Sequence, residues 1–550
     1  MSDEPFTQDP PRPSNRFRTD GALRSAVRRL LPEERYALAA ALLDDAGERA
    51  IEEWRALGMR AEQSPPRHVP YDPWGRCIDR IEVDPSWTRL VAIGAELGLV
   101  ALPYEETFGA RARVVQAALL QLFGAVSATA SCPLAMTDGA TRVLLAQDDA
   151  LARRYVPRLI ARRGGWTCAQ WMTETTGGSD VGRTRTRAVA RDDGTWELYG
   201  TKWFTSATTA DLALALARPD GAESGSRGLS LFALELRDPS GGWNRLRVRR
   251  LKEKLGTKAL PTAELDLEGT RAVAVGGLGR GVAKIAGVLN VARLWAALGA
   301  VAGVGELLSL ARDYASRREV FGKPLREQPV HRVWLGRIAA EYEGMLLLAF
   351  DAARAIGEAE HGGDPLEARV LAPLAKLACA RDAVDACSHL IESFGGAGYI
   401  EDTGLPQIFR DVHVHCIWEG TTTVLALDLL RALDEPGAMQ QWFDRYRPRI
   451  EAIAGIEPGV GSQIDAALGR VRALLETGRT DRARGIARGL SRIHRAVLLA
   501  EAVAAAPDEA ERRRSRAALR VFTAAPLLEE DADVDASELE VLAFGETVRV

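Results

Sequence analysis

TWELYGTKWFTSA, residues 195–207, alternates apolar and polar side chains with a period of two, which is the pattern of a half-buried β-strand. Three later stretches show a similar pattern, and Gly, Asp and Pro residues separate them: DLALALARPDG (211–221), GLSLFALELRD (228–238) and AELDLEGT (263–270). Short strands joined by such turns predict a middle antiparallel β domain over residues 166–272.

On both sides of this segment the apolar residues recur at spacings of three and four, which is typical of amphipathic helices. We therefore expect an N-terminal helical domain over residues 21–165 and a helical bundle over 273–436. A further helical segment, 437–525, forms an extra C-terminal domain. The predicted fold class is mainly α with a β insert. Residues 1–20, with four prolines, are expected to be a flexible arm, and 526–550 an acidic tail.

The composition is that of a soluble globular protein. Of 550 residues, 47% are hydrophobic and 27% are charged, and the formal net charge is -4, so no global positive charge indicates nucleic acid. The six cysteines form no C-x-x-C pair, which fits a reducing compartment. The N-terminus lacks the pattern of a signal peptide, and the apolar run 294–305 is too short to span a bilayer. We expect a cytoplasmic protein without a membrane partner.

Two motifs lie where helix gives way to sheet. In CAQWMTETTGGSDVGRTRTRA (168–188), Thr173 and Ser179 flank a glycine turn whose backbone N–H groups are open to a flat or phosphorylated ligand. In GTKWFTSA (200–207), strand periodicity places Trp203 and Thr205 on one side, an aromatic wall beside a hydroxyl. Each motif also has a structural interpretation, as an ordinary turn and as an aromatic residue in the core of the β domain.

Three further motifs follow in the helical bundle. YASRREVFGKPLREQ (314–328) ends a helix with two arginines, which either bind a phosphate or are solvated. GGAGY (395–399) is a glycine-rich helix exit. In CIWEGT (416–421), a carboxylate among apolar neighbours is suited to act as a base in a dry pocket, although the local pattern alone favours a capping turn before the next helix.

Taken together, MTETTGGSD, KWFT, RREVFGKPL, GGAGY and WEGT follow one another as in the acyl-CoA dehydrogenase flavoprotein family, and the chain resembles that family over about residues 80–433. The segments SPPRHVPYDPWGRCIDRIEVDPSW, CPLAMTDGA and RLKEKLGTKALPTAELDLEG, with the extra C-terminal helices, resemble its AidB-like subfamily over nearly the full length. The resemblance implies that the bundle is a four-helix bundle and that the cofactor is FAD.

The resemblance also implies roles for single residues. Glu419 would be the base that removes the acyl α-proton while the β-hydrogen leaves as hydride to flavin N5, and its own N–H would bind the thioester oxygen. Some family members place the base just before an arginine on another helix, but here that residue is Ala292, before Arg293. The residues implied to contact FAD are Met172, Thr173, Ser179, Trp203, Phe204, Thr205, Arg318, Phe321, Gln328, Gly395, Gly396, Gly398, Thr421 and Thr423.

Within that set, Thr173 and Ser179 would bond the flavin edge and the pyrophosphate region, with Trp203 behind the ring and Thr205 reaching toward N5. Arg318, Phe321, Gln328 and the glycine turn would hold the adenine half, from a neighbouring subunit's FAD, which implies a homotetramer built as a dimer of dimers. Two departures from the family pattern, Glu392 and Thr423 in place of glutamines, bear on individual FAD contacts.

Two other patterns carry less weight. His413 and His415 form an H-x-H beside Glu419, but no carboxylate or cysteine cluster accompanies them, so we predict no metal site. GGLGRG (276–281) lacks the strand and helix of a dinucleotide-binding loop and is interpreted as a plain loop.

The C-terminal domain raises the question of DNA. Residues 440–520 contain 16 arginines against ten acidic residues, either a phosphate-binding patch or a solvated helix face. Residues 521–550 contain eight acidic groups and one arginine, which would screen such a patch.

Three hypotheses therefore stand. The first is an FAD-dependent acyl-thioester dehydrogenase acting on acyl-CoA or another acyl thioester. The second is an AidB-like flavoprotein of the alkylation-damage response that binds DNA non-specifically and has weak dehydrogenase activity. The third is a repurposed flavoenzyme of secondary metabolism. Acyl chain length and carrier are not predicted, and the electron acceptor is either an electron-transfer flavoprotein or oxygen.

Overall fold

The computed structural model of the chain describes residues 8–529 and 536–544. Its N-terminal region is helical, with one β-hairpin (β1, β2) where the prolines of 64–75 lie. The elements are α1 (Arg16–Thr19), α2 (Gly21–Leu30), α3 (Glu33–Ile51), α4 (Glu53–Gln63), β1 (Arg67–Tyr71), β2 (Cys77–Glu82), α5 (Pro85–Glu96), α6 (Ala112–Phe123), α7 (Ala128–Gln147) and α8 (Asp149–Leu159).

The start of the chain corrects one prediction. Residues 8–20 are not a flexible arm, because Asn15, Arg16 and Phe17 are buried and α1 forms there. The guanidinium of Arg16 lies among the helices, donating to the Gln121 carbonyl (2.6 Å) and the Tyr342 hydroxyl (3.1 Å). The proline content predicted a segment without secondary structure, but it gave no sign of the contacts that hold Arg16 among the helices. Residues 1–7 lie outside the described part of the chain.

The middle region holds seven strands: β3 (Cys168–Trp171), β4 (Arg187–Ala190), β5 (Trp196–Ser206), β6 (Leu212–Pro219), β7 (Ser230–Glu235), β8 (Leu246–Leu251) and β9 (Thr262–Ala274). Most pairs are antiparallel, as predicted, but β3 and β4 each pair with β6 in parallel. Because β7 pairs with both β9 and β6, the sheet closes on itself around an apolar interior.

The bundle consists of α9 (Gly281–Arg317), α10 (Pro329–Glu360), α11 (Pro365–Glu392), α12 (Leu405–Val414) and α13 (Thr422–Leu433), with the small hairpin β10 (Glu319–Val320) and β11 (Lys323–Pro324) after α9. The apolar run 294–305 lies inside α9. By length and composition alone the stretch Leu289–Arg317 is long enough to cross a membrane, contrary to our expectation, but 89% of its apolar window is buried within the protein. It is the central core helix of the bundle.

The C-terminal region is helical, with α14 (Ala438–Asp444), α15 (Tyr446–Ala454), α16 (Pro458–Glu476), α17 (Ala483–Ala504), α18 (Glu509–Thr523) and α19 (Ala536–Phe544). One continuous apolar core joins α17 and α18 to the bundle and the N-terminal helices. The predicted acidic tail starts inside this packing, because Leu527 and Leu528 are buried and Glu529 pairs with Arg488 at 2.9 Å. Residues 530–535 and 545–550 lie outside the described part.

Candidate active site

Glu419 lies in a tight turn between α12 and α13. Its φ is 57°, in the left-handed region that non-glycine residues rarely adopt, and Gly420 follows with φ 104°. The alternative role as a helix cap is not observed, since α13 begins at Thr422 with Thr421 in the N-cap position. Backbone strain of this kind persists only where surrounding contacts impose it, and it concentrates at functional sites.

The contact that fixes this turn comes from Lys376 on α11, whose ammonium donates to the Gly420 carbonyl. Among the described residues, no side chain or backbone donor lies within hydrogen-bonding distance of the Glu419 carboxylate, so its oxygens are free to accept a proton. Burial raises the pKa of Glu419 above its usual value, while Arg293 and Lys376 oppose that rise. Arg293 is itself held by Asp428 at 2.8 Å.

Three more buried groups lie around Glu419. Burial raises the pKa of the Cys132 thiol to about 12, and this thiol lies close enough to both Lys254 and Glu419 to interact with their charges. Burial lowers the pKa of Lys254 to about 8 and that of Lys376 also to about 8. His415, whose pKa burial lowers to about 3, is neutral and accepts a hydrogen bond from the Trp418 indole at 3.2 Å. The Glu419 carboxylate therefore lies near two cations, Arg293 and Lys376, and near buried side chains that carry no charge.

Sequence reasoning missed these neighbours, apart from His415, which it weighed only as a metal ligand. Lys376 and Lys254 lie on α11 and in the β8–β9 loop, far from Glu419 in sequence, and no local signal connects them. Asp411 shares this region: its carboxylate accepts from the Thr257 N–H at 2.5 Å, and burial raises its pKa to about 7. Among the described residues, no group of three or more His, Cys, Asp and Glu side chains is placed to hold a metal ion.

The first group of predicted FAD contacts is brought together by the β domain. The loop after β3 is held to β5 by a hydrogen bond from the Trp203 N–H to the Thr173 carbonyl at 3.0 Å. Between them, the buried Glu174 accepts from the Lys202 ammonium (2.8 Å) and from the N–H (3.2 Å) and hydroxyl (2.6 Å) of Thr186. This buried ion pair fixes the M-T-E-T-T-G-G-S-D loop, in which Met172 is half-buried and Ser179 is exposed.

The strand itself departs from the regular alternation that we assumed. Pairing of β5 with β9 shifts register between Lys202 and Thr205, and both of these residues are buried although they are three positions apart. A bulge therefore removes the basis for placing Trp203 and Thr205 on one face by periodicity. Phe204, inside the bulge, is 56% exposed, and the Thr205 hydroxyl donates to the Ala263 carbonyl at 2.7 Å.

The residues of this loop fit a bound flavin. The side-chain amide of Gln170, at the end of β3, is a buried donor with no hydrogen-bond partner among the described residues. A Cβ at Gly178 would lie 2.9 Å from the Thr173 hydroxyl, and Gly177 has φ 129°, so the turn needs glycine at both positions. The unpaired Gln170 donor and the open glycine turn are each suited to the polar edge and the phosphates of FAD.

The second group lies at the other end of α9. The hairpin after this helix has Phe321 at its tip, with φ 54° and 94% of its side chain exposed. Gln328 closes the hairpin by donating to the Val320 carbonyl at 2.8 Å, and Arg318 is exposed beside it. The turn Gly395, Gly396 and Gly398 is adjacent, since Phe394 packs against Tyr314 of α9 with ring centroids 5.2 Å apart.

The hairpin and Glu419 are far apart in one chain. From Arg293, beside Glu419, to the end of α9 at Arg317 the helix rises about 36 Å. Thr421 and Thr423 follow Glu419 directly in sequence and are exposed at the start of α13. The hairpin residues therefore do not reach Glu419 within the same chain.

Comparisons with known proteins bear on the family. Residues 8–163 match the adaptive response protein AidB N-terminal domain, 169–270 the acyl-CoA dehydrogenase middle domain, and 279–433 the acyl-CoA dehydrogenase C-terminal domain. Acyl-CoA dehydrogenase family member 11 of Caenorhabditis elegans is 45% identical over 442 residues, 78% of this chain and 72% of that protein. The chain belongs to the acyl-CoA dehydrogenase family.

Two further similarities define its place there. The putative acyl-CoA dehydrogenase AidB of Escherichia coli is 34% identical over 77% of this chain and 78% of that protein. The crystal structure of Caenorhabditis elegans ACDH-11 in complex with C11-CoA superposes with a TM-score of 0.93 at 37% identity, covering 100% of this chain and 98% of that one. The predicted AidB-like recognition and fold class are confirmed, and so is an FAD-dependent oxidoreductase of the acyl-CoA dehydrogenase type.

Proposed function

We propose that this dehydrogenase removes the α-proton of an acyl-CoA with the carboxylate of Glu419. The observation that carries the proposal is that Glu419 is held in a strained turn with an unbonded carboxylate. Its pKa is raised by burial, which makes it a stronger base than an exposed glutamate. Bound FAD supplies the hydride acceptor for the β-hydrogen.

The other residues around the turn position and tune the base. Lys376 fixes the backbone of the turn through the Gly420 carbonyl, and together with Arg293 its charge opposes the rise in the pKa of the carboxylate that burial causes. Cys132 and His415 add buried, uncharged side chains to the region around Glu419, which suits removal of a substrate proton with little water present.

For the substrate we propose unbranched acyl-CoAs of about the length carried by the ligand of the nematode relative, whose structure contains C11-CoA. The test is anaerobic bleaching of the flavin absorbance by acyl-CoAs of graded length, together with the same acyl groups on acyl carrier protein. Fastest bleaching by a medium or long acyl-CoA supports the proposal. Bleaching only by carrier-protein thioesters favours the repurposed enzyme, and no bleaching at all overturns the dehydrogenase assignment.

We also propose a homotetramer in which the hairpin of one subunit reaches the FAD of another. The support is a patch of exposed apolar side chains around that hairpin, larger than single surface residues explain: Phe321, Val330, Val333, Trp334, Tyr399 and Ile400. Phe321→Asp should reduce both the oligomer mass measured by light scattering and the FAD content. Trp74→Ser, an equally exposed aromatic residue elsewhere, should change neither. Unchanged mass and FAD content in F321D would refute the shared site.

Non-specific DNA binding stays a prediction, and the charges of the C-terminal domain do not favour it. Most of its arginines are already paired: Arg449 with Glu501, Arg488 with Glu529, Arg516 with Glu457, and Arg495 with both Glu341 and Asp382. A salt-dependent gel shift by full-length protein would revive the DNA hypothesis. The cytoplasmic location and the electron acceptor, an electron-transfer flavoprotein or oxygen, likewise remain proposals.

A further inference from the structure

A cleft of about 430 Å³ lies at the seam between the bundle and the C-terminal helices, in the size range of small-molecule sites. Helix α2 forms one side, α10 and α11 the second, and α14, α15 and α17 the third. Of its lining residues, Glu367 is on the same helix as Lys376 but nine residues away, about 14 Å along the axis. The cleft is therefore separate from the pocket around Glu419.

Three of the four arginines that line the cleft have carboxylate partners. Arg354 pairs with Asp351 and Glu367, both at 2.7 Å, and Arg449 pairs with Glu501 at 2.6 Å. Arg445 is bound to Asp364, outside the cleft, and also pairs with Glu367 at 3.3 Å. Their charges are thus satisfied within the protein.

Arg29 of α2 is the exception. Its one recorded side-chain hydrogen bond goes to the Leu498 carbonyl at 3.2 Å, and among the described residues no carboxylate oxygen lies within ion-pair distance. Burial lowers the pKa of Arg29, while the charges of Glu501 and Asp351, which also line the cleft, oppose that change and the charge of Arg449 adds to it. A guanidinium that is partly withdrawn from water and has no direct carboxylate contact keeps N–H donors that a bound anion can take up.

The floor of the cleft is rigid, which suits a preformed site. Trp442, Tyr446 and His494 are all about 1% exposed and pack edge to face or stacked, with ring centroids about 6 Å apart. His494 donates to Asp351 at 2.8 Å and accepts from the Tyr446 hydroxyl at 2.9 Å, a chain that fixes Asp351 below the arginines. Above this floor the guanidinium groups of the four arginines and three carboxylates, from Asp351, Glu367 and Glu501, line the cleft together with apolar side chains.

We infer that this cleft is a second ligand site, which binds a small anion bearing a carboxylate or a phosphate group between Arg29 on one side and Arg445 and Arg449 on the other. The volume of the cleft limits the ligand to a small molecule. The ligand is an anion because Arg29, unlike the other three lining arginines, has no direct contact with a carboxylate among the described residues. Nothing in this inference depends on the acyl substrate or on the dehydrogenase reaction.

The test uses full-length, flavin-loaded protein and measures its melting temperature against increasing inorganic phosphate or succinate, with sodium chloride at equal ionic strength as reference. We expect a saturable rise with at least one probe. Saturation by phosphate alone identifies a phosphate ligand, and saturation by succinate alone a carboxylate ligand. Arg29→Gln should weaken the apparent affinity roughly tenfold or more. Arg28→Gln, an exposed arginine on the same helix, should leave it unchanged.

Two results would overturn the inference: no saturable rise with either probe, or an Arg29→Gln response equal to that of the unmodified protein. If Arg29→Gln does not fold, Arg445→Gln probes the opposite side of the cleft and should also weaken the response. An unchanged response in that variant counts equally against the site.

Discussion

Glu174 and Glu419 both lie in motifs that the sequence singled out, and each has a buried lysine beside it, yet the two carboxylates are treated in opposite ways. Lys202 bonds directly to Glu174, and with Thr186 and the Arg185 N–H it holds the pKa of that buried carboxyl below its usual range. Lys376 bonds instead to the Gly420 carbonyl next to Glu419, so that carboxylate has no hydrogen bond from the lysine. Burial then raises the pKa of Glu419. The same pair of residue types thus forms a structural anchor in one place and positions a base in the other.

The largest expected effect comes from removing the unbonded carboxylate. Glu419→Gln should lower the rate of flavin reduction by acyl-CoA roughly 10³-fold, because general bases contribute on that scale, while FAD content and melting temperature stay unchanged. Stopped-flow absorbance of the flavin measures the rate. Glu435→Gln, at an exposed glutamate of the same domain, is the matched control and should react normally. Normal reduction by Glu419→Gln would remove Glu419 from the mechanism.

The bonded carboxylate should show the reverse pattern. Lys202→Met leaves Glu174 as a buried charge without its cation, so we expect the free energy of unfolding of the β domain to fall by about 3–5 kcal/mol. Combining Lys202→Met with Glu174→Gln should cost clearly less than the sum of the single changes. Denaturant titration followed by tryptophan fluorescence measures each variant. Additive losses would show that the two side chains do not act as a pair.

The sequence predicts those features of the two sites that local motifs determine, and it misses those that contacts between distant parts of the chain determine. Glu419 and the glycine turns follow from motifs whose order matches the family, and helix and strand periods placed the β insert between helical domains. Lys376 was missed because its bond to the Gly420 carbonyl joins α11 to a turn 44 residues later in the chain. The bulge at Phe204 was missed because register is set by the partner strand β9, not by β5 alone. Residues 8–20 were misjudged because Arg16 is anchored by helices far along the chain.

A third carboxyl group, that of the buried Asp411, has a raised pKa, and its effect on stability can be tested by measuring melting temperature as a function of pH. Burial raises the pKa of Asp411 to about 7, whereas in the unfolded chain the same carboxyl loses its proton near pH 4. The folded state therefore binds this proton more tightly than the unfolded state does. As a result, the free energy of unfolding decreases as pH rises from about 4 to 7. The loss is at most about 4 kcal/mol. Asp411→Asn should therefore gain melting temperature relative to the unmodified protein at pH 8 and not at pH 4. An equal difference at both pH values contradicts this sign.

The smallest expected effect separates the two roles of Lys376. Its cation lowers the pKa of Glu419, so Lys376→Met should raise that pKa further and move the acidic limb of the kcat/KM profile to higher pH. Below the shifted limb the base is protonated and turnover falls, whereas well above it only the loss of the bond to Gly420 remains. Arg381→Met, on the same helix and paired with Asp385 at 3.0 Å, serves as the control. A lower rate at every pH with an unmoved limb would mean that Lys376 positions the turn without tuning the base.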